Sequence, residues 1–89
     1  MWGQDYPHIE GTYPYTTEAL RYTFAGIDPA EVGPMIGGNA ASVYGFDLEK
    51  LSAVAARVGP QVAEVNVPLE HVPADSHSLA FAGGDLKPW

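Results

Sequence analysis

The sequence predicts a mostly α-helical chain with a vestigial strand at its N-terminus and an extended C-terminal tail. Three observations carry that expectation. Between residues 16 and 58, apolar side chains recur at helical spacing behind residues suited to cap helices. Met1 and Trp2 are large and apolar and run directly into Gly3-Gln4-Asp5, as the end of a buried strand would. From Val65 onward, three prolines interrupt a stretch that has no period. A lone strand cannot pair its own backbone N–H and C=O groups, so the partners of such a stub are expected outside these residues.

Each element has a local cause. The run from Tyr6 to Tyr15 holds two Tyr-Pro pairs and a glycine, which predicts an ordered loop, because proline biases the residue before it away from helix. Thr16 or Thr17 is expected to cap a first helix near 17–25, with Glu18 in its first turn against the positive dipole end. Leu20, Phe24 and Ile27 form its apolar stripe, and Gly26 stands near its end. Asp28-Pro29-Ala30-Glu31 signals the next helix, over 29–37: Asp28 caps, Pro29 suits the first position, and Glu31 stands where a capping box needs it. Val32, Met35 and Ile36 are its inward residues. Gly37-Gly38 is expected to break it and Asn39 to cap a short helix over 39–44. Asp47 caps a further helix over 48–58, with Leu48, Leu51, Val54, Ala55 and Val58 on one face, and Gly59-Pro60 stops it. One more turn is expected over 61–64. The tail then settles only where Val67, Leu69, Val72 or Phe81 meets a surface.

Composition excludes several function classes. Four Lys and Arg against eleven Asp and Glu leave a formal charge of −7, which repels phosphate backbones and argues against nucleic-acid binding. Every apolar run is broken by Gly, Pro or charge within a few residues, so no membrane span is expected. With no cysteine there is no disulfide and no thiolate metal site. That usage, and the absence of a basic-then-apolar leader, point to the cytoplasm. A chain of 89 residues holds one domain at most, with a thin core.

Asp5 is the first candidate for chemistry. A carboxylate at the end of a strand, just before a rigid proline loop, is placed as barrel active-site residues are placed; the plainer role is to accept backbone N–H bonds and pin the loop. His8, three residues on, either orients a ligand or substrate carboxylate or fixes the turn through backbone bonds. Glu10 reads as a solvated carboxylate, His71 and His77 as surface residues, and Tyr6, Tyr13 and Tyr15 as packing aromatics beside prolines.

The stretches Trp2-Gly3-Gln4-Asp5-Tyr6-Pro7-His8, Gly38-Asn39-Ala40-Ala41 and Tyr44-Gly45-Phe46-Asp47, in that order, resemble the C-terminal end of amidohydrolase-related proteins, the metal-dependent hydrolases and decarboxylases of the amidohydrolase superfamily. The resemblance implies an α/β TIM-barrel-type parent fold, of which residues 1–58 would be the last strand, its loop and the closing helices, and 59–89 an extended tail. It implies that Asp5 ends the eighth strand, contacts a catalytic divalent metal, zinc first among them, or its bound water, and serves as general base. His8 would stand beside that metal or its small-molecule substrate. Gln4 departs from the family's usual Ser or Thr at that position, and the family's His-x-His pair does not occur in the chain. Such barrels need about 250 residues, so these 89 are expected to be inactive alone, with apolar helix faces left bare and prone to self-association. Another class of reading is a small helical interaction module, or a remnant of an enzyme without catalysis. A metal site built from Asp5, His8, His71 and His77 would need a rigid frame that the tail does not offer.

Overall fold

Asp28 and Asp47 stand where helices begin, and in the computed structural model both cap as the sequence expects. Residues 1–81 are described. Asp28 accepts from the Ala30 amide at 2.9 Å and opens α2 (Pro29–Gly33). Asp47 accepts from the amides of Glu49 and Lys50 at 3.1 and 3.2 Å and opens α4 (Leu48–Val58). Before them lies α1 (Thr16–Phe24); between them lies α3 (Asn39–Tyr44), and after them the single turn α5 (Val62–Val65) and a 3-10 turn (Leu79–Phe81). In α5, Gln61 and Glu64 form a reciprocal capping box, the Gln61 amide donating to Glu64 Oε2 at 2.5 Å.

Three expectations are corrected. No β-strand forms among the described residues. A strand needs a neighbour to take its backbone bonds, and none lies within reach, so the expected stub is irregular chain whose Trp2 ring instead packs on Phe24, centroids 5.8 Å apart. Gly37-Gly38 does not break the helix. Pro34–Gly38 is a wide π turn that joins α2 to α3, closed by the Asn39 amide donating to the Pro34 carbonyl. Asn39 is therefore helical and caps nothing. Thr16 and Thr17 do not cap α1 either; Tyr15 holds the cap position without a side-chain capping bond, and Thr16 Oγ1 pairs with Thr12 Oγ1 at 2.9 Å.

The core is small. Leu20, Phe24 and Val32 are buried together, with Trp2, Ile27 and Val65 packed against them. Helix α1 lies at its centre, touched by α5 on one side and the 3-10 turn on another. Arg21 ties the chain after α5 to α1, donating from Nε and Nη2 to the carbonyls of Val67 and Pro68 at 2.9 and 2.6 Å. By contrast α4 buries no residue, and Leu51, Val54 and Val58 are 47, 45 and 76% exposed. Of the apolar helix residues, Leu20, Phe24 and Val32 form the core, so the faces expected to lie bare are present only in part, at Ile36, Leu51 and Val54, which are exposed.

Candidate functional site

The loop before α1 is built by its backbone. The His8 amide donates to the Asp5 carbonyl at 2.8 Å and the Gly11 amide to the His8 carbonyl at 2.9 Å. The Thr12 amide closes the loop on the Gln4 carbonyl at 3.0 Å, and Thr12 is buried. Both Tyr6-Pro7 and Tyr13-Pro14 are cis. Asp5 takes the left-handed conformation, φ 58°, which aspartate tolerates better than most side chains. The turn therefore hangs on Asp5 as backbone.

The Asp5 carboxylate is left free by this arrangement. It lies on the surface beside Gly3 and takes part in none of the side-chain hydrogen bonds or ion pairs among the described residues. The pinning role open to it from sequence falls instead to Gln4, whose Oε1 accepts from the Tyr6 amide at 3.0 Å. His8 is exposed, with Nδ1 4.0 Å from Glu10 Oε1. Its amide meets Asp5, and its imidazole turns to Glu10 rather than joining Asp5 in one cluster.

Sequence reasoning misses how the tail meets this loop. Tyr15 donates its hydroxyl proton to Asp75 Oδ1 at 2.6 Å across sixty residues of chain, and the Leu79 amide donates to the Ile9 carbonyl at 3.2 Å. The Asp75 hydrogen bond, then burial and the negative charges of Asp75 and Glu18, raise the Tyr15 pKa above its ordinary 10.0. Between loop and tail lies an open cleft of about 310 Å³ lined by His8, Tyr15, Asp75 and His77 among others. The one local signal was Pro73-Ala74-Asp75-Ser76, a turn sequence closed by the Ser76 amide on the Pro73 carbonyl at 3.1 Å.

No family model, curated protein or solved structure matches the chain. Geometry alone must then test whether these residues suit a divalent metal. A metal that activates water needs several protein ligands and one open position. Among the described residues no group of three or more His, Asp or Glu side chains is close enough to hold one. The described residues offer one unengaged carboxylate at the loop, which does not fit a complete metal site.

Proposed function

We propose that this chain is the C-terminal part of a metal-dependent hydrolase or decarboxylase of the amidohydrolase type, built on a TIM barrel, with Asp5 as its proton-accepting carboxylate. The observation that carries the reading is the order of the stretches Trp2 to His8, Gly38 to Ala41 and Tyr44 to Asp47, which resembles the C-terminal end of that family. The loop fixes the Asp5 backbone and leaves its side chain exposed and unengaged, so the carboxylate is free to accept a proton. The parent reaction is amide or ester hydrolysis, or non-oxidative decarboxylation, of a small molecule in a reducing cytoplasm. His8 sits at the same loop, where its imidazole can orient a substrate carboxylate. On this reading the other metal ligands come from residues outside this chain, and the 89 residues alone are inactive.

A second reading, a helical interaction module without catalysis, is favoured by the bare apolar face of α4. No described helix is long and apolar enough to cross a membrane, so that face is not a span.

The reading frame upstream of the Met1 codon separates the two. The hydrolase reading expects an in-frame barrel segment carrying a His-x-His pair. An in-frame stop codon directly before a ribosome-binding signal contradicts it. In the longer chain, Asp5→Asn should lower turnover about 10²–10⁴-fold with little change in stability, since it removes a proton acceptor without changing shape.

A further inference from the structure

We propose that the cleft between the loop before α1 and the tail binds a small methylated ammonium ion of the choline type. The inference uses neither Asp5 nor a metal and stands apart from the hydrolase reading.

The cleft is held from both sides. Its loop wall brings His8, Tyr13 and Tyr15, and its tail wall Asp75, Ser76 and His77. Two bonds tie the walls together: Tyr15 to Asp75 Oδ1 at 2.6 Å, and the Leu79 amide to the Ile9 carbonyl at 3.2 Å. The cleft is therefore formed before any ligand arrives. Its volume of about 310 Å³ stands at the small end of ligand sites.

Charge narrows the occupant. Among the described residues that line the cleft there is no Lys or Arg, and Asp75 is the one carboxylate. Glu10 adds a second negative charge 4.0 Å from Nδ1 of the lining His8. An anion would meet like charge with no fixed cation to hold it. A hard metal cation needs about six oxygens, and the lining side chains offer one carboxylate. No three His, Asp or Glu side chains among the described residues converge on a softer metal.

An organic cation remains, and hydrogen bonding selects its kind. A primary ammonium brings three N–H donors that all want acceptors. Asp75 Oδ1 already accepts from Tyr15, and Oγ of Ser76 and of Ser78 each accept a backbone amide, from Ser78 and Ala80. A methylated ammonium makes no such demand and is held by a carboxylate and aromatic faces. Tyr13 and Tyr15 bring the rings, and Tyr13 is braced edge-on by Tyr6, centroids 5.4 Å apart.

The test follows the amide NMR spectrum of the full 89-residue chain during titration with choline. A parallel titration uses the uncharged isostere of choline, in which a quaternary carbon replaces the nitrogen. Choline should bind saturably with Kd on the order of 1 mM, and the isostere about tenfold weaker or worse. The amides that move should be those of residues 8–15 and 75–78. Asp75→Asn can still accept from Tyr15 but carries no charge, and should weaken choline about tenfold. Tyr13→Ala should weaken it about threefold. Glu31→Gln on α2, outside the cleft, removes the same charge and should change nothing. The spectrum of each variant shows that the fold persists. Equal affinity for the isostere, absence of saturable binding, shifts at Leu20, Phe24 and Val65 instead of the cleft, or full affinity in Asp75→Asn would overturn the proposal. So would an equal loss with Glu31→Gln, because choline would then be answering only to the net charge of −7.

Discussion

Gly11 has no room for a side chain. A Cβ there would stand 2.9 Å from the His8 carbonyl oxygen and 3.0 Å from that of Asp5, both backbone atoms of the turn that holds the candidate site. Gly11→Ala should therefore open the loop and cost about 1–3 kcal/mol in urea unfolding, as overpacking does. At Tyr15 the expectation is a pH dependence. The pKa is raised above 10.0 by the bond to Asp75, so that bond's contribution to stability is fully present below pH 10.0 and is lost as pH climbs through the folded value. Melting temperature should fall over that alkaline range in the wild type, and the fall should be shallower in Tyr15→Phe. Asp5 was visible in the sequence as a chemical candidate because it stood at the end of an expected strand before a proline loop, and His8 because it follows three residues on; the strand does not form, and Asp5 stands in an irregular loop instead. What could not be read was the division of labour. That Gln4, not Asp5, would take the Tyr6 amide depends on Asp5 adopting a left-handed conformation, which only the closed loop enforces.

Helices were the legible part of this chain, because caps act over three or four residues and need no distant partner. Asp47→Ala removes two bonds to the amides of Glu49 and Lys50 and should cost about 1 kcal/mol, visible as reduced helicity of α4. The misreading at 34–39 has an equally local cause. Pro34 brings no N–H, and its ring would clash with the carbonyl four residues back in a regular helix. The wide turn that follows carries the chain through two glycines and leaves Asn39 inside the helix rather than at its start. Gly37 is then a helical glycine with open space around it. Gly37→Ala should stabilise the chain by about 0.5–1 kcal/mol in thermal or urea unfolding, by restricting the unfolded chain.

On the scale of the whole molecule, what the sequence hid was everything non-local. The clasp between Tyr15 and Asp75 spans sixty positions, and the hold of Arg21 on Val67 and Pro68 spans forty-six and forty-seven, with no local pattern announcing either. The tail, expected to lie extended, thereby forms one side of the cleft at the loop. Uneven burial has a dynamic consequence. Helix α1 sits in the core while α4 buries nothing, so amides of α4 should exchange hydrogen with solvent well before those of α1, and a chain that exchanges uniformly would contradict this packing. The central claim is that Asp5 is one carboxylate of a site whose other ligands lie outside these residues. Titration calorimetry of the 89-residue chain with zinc, beside Asp5→Asn, tests it most directly. The account predicts no tight, stoichiometric binding in either protein and no difference between them beyond that of a single exposed carboxylate. Tight one-to-one zinc binding by the wild type that vanishes in Asp5→Asn would contradict it.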